Sequence, residues 1–148
     1  MLKALLLSMG LLSSASALVV GSALRGGVTR TGSPVMAEIT TGVSFDTVAR
    51  EWRMKWTGDD DKASLAAAQV ALNEVLPALK GLKGFKGVQR VVCGGCLDFK
   101  VITSVDGDAF GDWEGADFAP EEQFLTKVKA IDGITLVETQ TFTLMPMD

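Results

Sequence analysis

Between residues 49 and 56 the sequence reads AREWRMKW. At a period of two, Glu51, Arg53 and Lys55 share one side and Trp52, Met54 and Trp56 the other. Asp98 and Lys100, in the stretch LDFKVITSV, repeat the mixture of signs. Side chains of both charges gathered in this way can hold a small polar ligand, and where they leave water they must be paired. Burial would also raise a carboxyl pKa, so Glu51 or Asp98 could abstract a proton without a cofactor. That is the one catalytic reading the inventory allows. The chain has no His and no Tyr, which removes the commonest general base and the phenol donor. Triads built on imidazole are excluded, and no phosphate-cradling glycine motif opens a helix. No cofactor is expected, and a non-catalytic role is favoured over an enzymatic one.

Two further motifs invite chemistry. Cys93 and Cys96 form CGGC. Dithiol catalysis places such a pair at a strand-to-helix junction, where the helix N-terminus depresses a thiol pKa, whereas these cysteines bracket a turn between two strands. A zinc site would need about four ligands and would have to draw on carboxylates such as Asp98, so no metal is expected. The pair reads as a glycine turn flanked by small residues, with a regulatory disulfide as the alternative. The stretch DGDAFGDWEGAD, residues 106–117, imitates a calcium loop. However, Phe110 stands where an oxygen ligand belongs and the last position is Asp instead of Glu. It is expected to be a solvated acidic connection, with Phe110 and Trp113 tucked against the sheet or a partner.

The N-terminus reads as an address. Lys3, the apolar run ALLLSMGLL and the small residues ASA make a secretory signal peptide over residues 1–17. Residues 18–36 hold Arg25, Arg30, several Ser, Thr and Gly, and no acidic residue, which is the composition of a transit peptide. The tandem resembles the bipartite leaders of algae with complex plastids. It implies delivery through the secretory pathway to the plastid stroma. Residues 37–148 then form one domain, long enough to bury a core. The leader removes Lys3, Arg25 and Arg30 from the 14 basic residues and none of the 18 acidic ones, leaving a net charge of −7. That is the wrong sign for a nucleic-acid partner. No stretch beyond residue 36 is long and apolar enough to span a membrane as a helix.

The elements that must position these groups follow from periodicity. Residues 48–56 form the first strand. Asp59, Asp60 and Asp61 can cap a helix of about five turns that buries Leu65, Ala68, Leu72, Val75, Leu76 and Leu79, with a kink expected at Pro77. VQRVV and LDFKVITSV are the second and third strands, joined by the CGGC turn. A second helix starts at Pro120, buries Phe124, Leu125, Val128 and Ile131, and closes at Gly133. Residues 134–145 are the last strand. KGVQRV and DGITLV mark the same helix-to-strand passage in two related halves.

The order βαββαβ predicts a ferredoxin-like α+β fold, a four-stranded antiparallel sheet with two helices on one face and the first and third strands central. Trp52, Met54, Trp56, Phe99, Val101 and Val105 should meet the helices. The bare side should show Glu51, Arg53, Lys55, Asp98, Lys100 and Ile102, with Val137, Thr139, Thr141 and Thr143 from the last strand. Face-to-face dimerisation would enclose these groups in a chamber in which Glu51 and Arg53 pair with Asp98 and Lys100; a solvated sheet face is the alternative.

Residues 48–145 resemble the dimeric α/β-barrel superfamily. Within it, CGGCLDFKVITSV and IDGITLVETQTFTL are similar to the ligand-binding domain of the Lrp/AsnC regulators, through Gly95 and Asp98 at the turn into the third strand and Gly133, Ile134 and Thr139 opening the last. The resemblance implies a homodimer holding a small polar effector at the subunit interface near that turn. The candidate binding residues are Glu51, Arg53, Lys55, Gly95, Asp98, Lys100, Thr139 and Thr141, and the candidate redox pair is Cys93 and Cys96. No helix-turn-helix precedes the domain, so a transcriptional role is not implied. An accessory subunit of a plastid photosystem or antenna complex stays open beside the ligand-binding reading, as does a cofactor-free enzyme of the superfamily.

Overall fold

The computed structural model describes residues 36–148, so the leader segments, Met36 apart, lie outside the described residues. In chain order the elements are β1 (Ala37–Thr40), β2 (Val43–Phe45), β3 (Thr47–Lys55), α1 (Asp59–Lys80), β4 (Phe85–Cys93), β5 (Asp98–Asp106), α2 (Gly107–Gly115), α3 (Glu121–Lys129) and β6 (Thr135–Leu144). Four strands pair antiparallel in the order β4-β5-β3-β6. With β3 and β5 central, this is the ferredoxin-like sheet expected from the βαββαβ order.

The apolar row of β3 decides which way the sheet faces. Burying one large apolar side chain contributes about 1.5–3 kcal/mol, so Trp52, Met54 and Trp56 turn together towards the helices. They join Phe99, Val101 and Val105 of β5, Leu72, Val75 and Leu79 of α1, and Phe124 and Val128 of α3 in one core. Trp52 stacks on Phe124 with ring centroids 4.7 Å apart. All three indole N–H groups find acceptors: Trp52 on Glu121 (2.7 Å), Trp56 on the Asp98 carbonyl (3.3 Å) and Trp113 on the Ala119 carbonyl (2.9 Å). A buried indole donor requires this.

Three elements differ from the sequence reading. The expected acidic loop contains a helix, α2, although Gly107, Gly111 and Gly115 each cost about 1 kcal/mol in helix propensity. Packing outweighs them, because Ala109 and Trp113 are buried and Phe110 and Phe118 meet the Trp113 ring edge-on. In α1 the departure from helical backbone lies at Asp60, Asp61 and Lys62, which are left-handed, and not at Pro77. The Asp side chains do not cap the helix. Buried Ser64 instead accepts from the Thr57 amide (3.1 Å) and donates to the Thr57 carbonyl (3.3 Å), holding the entry turn. Finally, a short hairpin, β1 with β2, precedes the sheet. Gly42 (φ +79°) supplies its turn, and Ile39 at its outer strand is 64% exposed.

Candidate functional site

With the helices on one side, the other face of the sheet is open, and backbone register fixes what stands on it. Glu51 lies opposite Ile102 and Gln140, Arg53 opposite Lys100 and Glu138, Lys55 opposite Asp98, and Ala49 opposite Ser104 and Phe142. Directly opposed residues share a face. Lys55 Nζ sits 2.7 Å from Asp98 Oδ1 and donates to the Cys96 carbonyl at 2.7 Å. The hydrogen bond from Lys55 holds the Asp98 carboxyl below its ordinary value; burial opposes this, and the charges of Lys55, Lys100 and Arg53 add to it. The expectation that burial would raise Asp98 is therefore corrected. Arg53 Nε lies 3.7 Å from Glu138 Oε2. Glu51 is 4% exposed and accepts from Gln140 Nε2 at 2.9 Å. Lys100 forms no ion pair among the described residues.

The expected partners are thus partly exchanged. Arg53 and Glu51 turn to Glu138 and Gln140 of β6, because β6 presents the opposite face from the one expected. Thr139 lies opposite Trp52, Thr141 opposite Arg50 and Thr143 opposite Val48, so these threonines stand on the helix side, and Val137 packs against the core. The cause is an irregularity near Leu136 (φ +48°), where the pairing shifts between Arg53 and Lys55. A one-residue shift moves every side chain to the other face.

On the helix side Thr139 and Thr141 serve a cluster that sequence reasoning missed. Arg50 Nε and Nη2 donate to the two oxygens of Glu121 at 2.7 and 2.9 Å, Nη2 also to Thr139 (2.8 Å), and Nη1 to Thr141 (3.0 Å). Trp52 Nε1 gives Glu121 its third bond, and the guanidinium lies 4.2 Å over the Phe118 ring. Both charged side chains are largely buried, at 14% and 13% exposure. The available signal was a charge at Arg50 in the row Val48, Arg50, Trp52, Met54, where a hydrophobe belongs.

At the β4–β5 turn Cys93 and Cys96 are joined by a disulfide, with Cα atoms 5.5 Å apart. Gly95 of the same turn has open space where a side chain would start. The pair sits on a turn between two strands and not at a strand-to-helix junction. Near Asp46, Lys86 bridges Asp46 and Asp106, both at 3.3 Å, and donates to Thr47 Oγ1 at 2.6 Å. The bond from Thr47, followed by Lys86, holds the Asp46 carboxyl below its ordinary value. Among the described residues, no group of three or more His, Cys, Asp or Glu side chains is placed to hold a metal ion. No helix among them is long and apolar enough to cross a membrane.

The chain matches no protein-family model and no curated sequence. Solved structures do share its architecture. A candidate antibiotic biosynthesis monooxygenase from Deinococcus radiodurans is 12% identical with a TM-score of 0.52, the match covering 68% of this chain and 95% of that one. SnoaB from Streptomyces nogalater, described as a cofactor-independent oxygenase, is 19% identical with a TM-score of 0.47, covering 69% and 96%. Rv0793 from Mycobacterium tuberculosis is 14% identical with a TM-score of 0.45, again covering 69% and 96%. The Deinococcus likeness, at 12% identity, shows the ferredoxin-like α+β fold and nothing of activity.

Proposed function

We propose that the domain works as a face-to-face homodimer whose open sheet faces enclose a chamber for a small polar ligand. The charge pattern of the uncovered face supports this. At its centre Glu51, Asp98 and Glu138 stand among Arg53, Lys55 and Lys100, and at its far end Asp106 is paired with Lys86, so acids and bases balance there, whereas residues 37–148 as a whole carry −7. A two-fold partner would present the same neutral set, so the faces can meet without net repulsion. Ala49, Ile102 and Phe142 supply apolar contact between the charged rows, with Val91 of β4 opposite Lys100. A zwitterion such as an amino acid fits a chamber lined with both signs, in keeping with the Lrp/AsnC resemblance, and the composition of the leader supports the plastid stroma as its compartment.

A docked, accessory role in a plastid complex is the second reading. It draws on the β1–β2 hairpin, which exposes Ile39 and Val43. Oxygenase chemistry of the kind named for SnoaB is not carried over, since a likeness at 19% identity carries no activity.

Sedimentation equilibrium tests the dimer. Wild type should be dimeric at micromolar concentration. Lys100→Glu, which makes each face more negative by two charges, should weaken association at least about tenfold, and adding Glu138→Lys should restore it. Calorimetric titration with the twenty amino acids then tests the chamber. A wild type that stays monomeric, or a dimer indifferent to Lys100→Glu, would overturn the reading, and comigration with a larger plastid assembly would favour docking.

A further inference from the structure

On the helix side, away from the open face, α1 and the edge strand β4 leave a groove of about 340 Å³. Its floor is apolar, made by fully buried Phe99, by Val92, which is 41% exposed, and by Leu65 of α1. Arg90 stands at its lip, in the helix-facing row of β4 opposite Val101. A relay sets the position of this guanidinium. Gln69 Nε2 donates to Asn73 Oδ1 at 2.7 Å, which turns Gln69 Oε1 to accept from Arg90 Nη1 at 2.5 Å. Four of the five guanidinium N–H donors remain for another acceptor.

Lys62 and Asp61 reach the end of the groove from the left-handed turn that opens α1. Neither Arg90 nor Lys62 forms an ion pair among the described residues, although acids outnumber bases in the domain. Two cations without acidic partners thus flank an apolar floor, and one of them is held in place by a two-step hydrogen-bond relay.

We propose that this groove binds a small amphipathic monocarboxylate. The apolar body lies on Leu65, Val92 and Phe99, and the carboxylate takes the open fork of Arg90, with Lys62 adding charge. The planar guanidinium matches a carboxylate in two parallel bonds. Asp61 sets the charge of the ligand: against Arg90 and Lys62 it leaves a net +1, which suits a monoanion and disfavours a dianion. The volume falls near the lower end of small-ligand pockets, about 300–1,000 Å³. This site is on the opposite side of the sheet from the proposed chamber and does not depend on it.

Decanoate, below its aggregation concentration, is the probe, with decanol and decyl phosphate as controls. Titration of the full protein by calorimetry and by amide NMR should show saturable 1:1 binding of decanoate, with shifts at Gln69, Arg90, Val92 and Phe99. Decanol should bind at least about tenfold more weakly, reflecting the lost charge-assisted hydrogen bonds. Decyl phosphate should bind no more tightly than decanoate. Arg90→Gln should lower decanoate affinity at least about tenfold with little change in the melting temperature, since Arg90 is exposed, and Ala66→Phe should block the groove. Non-saturable binding, equal affinity for decanol, tighter binding of decyl phosphate, indifference to Arg90→Gln, or shifts confined to the open face would each overturn the proposal.

Discussion

Replacing Glu121 with Leu tests whether the Arg50 cluster holds α3 against the sheet. The carboxylate accepts two bonds from Arg50 and one from Trp52, and both ionic side chains are about seven-eighths buried. Breaking a buried pair costs roughly 3–5 kcal/mol, because the remaining charge loses its partner. Here Arg50 keeps Thr139, Thr141 and the Phe118 ring, and the pair retains some exposure. The expected loss is therefore about 2–4 kcal/mol, or roughly 8–16 °C in Tm at about 4 °C per kcal/mol. Arg50→Met should cost a similar amount, since Glu121 would keep only the Trp52 donor. The double variant should recover part of the loss, giving a coupling of about 2 kcal/mol. Urea denaturation followed by tryptophan fluorescence measures all four proteins, at low and high salt. The coupling should change little with salt, because buried pairs are weakly screened. Single losses below about 1 kcal/mol that simply add, and that shrink in salt, would show the pair to be solvated and the argument wrong.

Two further outcomes follow from single groups. The Thr103 hydroxyl is buried without a hydrogen-bond partner, so Thr103→Val, which keeps the shape and removes the orphan, should stabilise the domain by about 1 kcal/mol in the same denaturation assay; a loss would mean that the hydroxyl has a partner. Asp98 has its folded carboxyl held below its ordinary value of 3.8, so its contribution to stability should be complete above that pH and disappear as the pH falls through the lower folded value. An NMR carboxyl titration should place the Asp98 midpoint below 3.8, Asp98→Asn should flatten this part of the acid-unfolding profile, and a midpoint at or above 3.8 would refute the Lys55 bond as its cause.

The sheet order was legible because helical and strand periods alternate cleanly, and because Trp52, Met54 and Trp56 leave little doubt about which row of β3 seeks the core. The β6 strand was not legible in the same way. Both of its rows mix polar and apolar residues, Val137, Thr139, Thr141 and Thr143 against Glu138, Gln140 and Phe142, so hydrophobicity does not choose a face. What chose it was Arg50, a long-range partner that gathers two threonine hydroxyls, together with the shift at Leu136. The helix α2 was hidden for the opposite reason. Its three glycines argue locally for a loop, and only the burial of Trp113 and Ala109 against the rest of the domain makes it helical. The charged residues of β3 and β5 stand on the open face as expected, but the partners of Glu51 and Arg53 depended on β6 and were misassigned with it.

The open face contains one arrangement that the single chain does not resolve. Arg53 lies directly opposite Lys100, and like charges in that position on neighbouring strands disfavour pairing. Arg53 is offset by Glu138 on its other side, and Lys55 is neutralised by Asp98. Glu51 is occupied by Gln140 of its own sheet and does not reach Lys100. Lys100 is left over. This is a local conflict of the kind that marks functional sites in folds that are otherwise consistent. Such conflicts are kept where something outside the chain relieves them. A carboxylate arriving above Lys100, from the two-fold copy or from the ligand held between copies, would convert the repulsive pair into an alternating row of signs. In the proposed dimer, the position opposite Arg53 would then be the point where association and ligand binding are coupled.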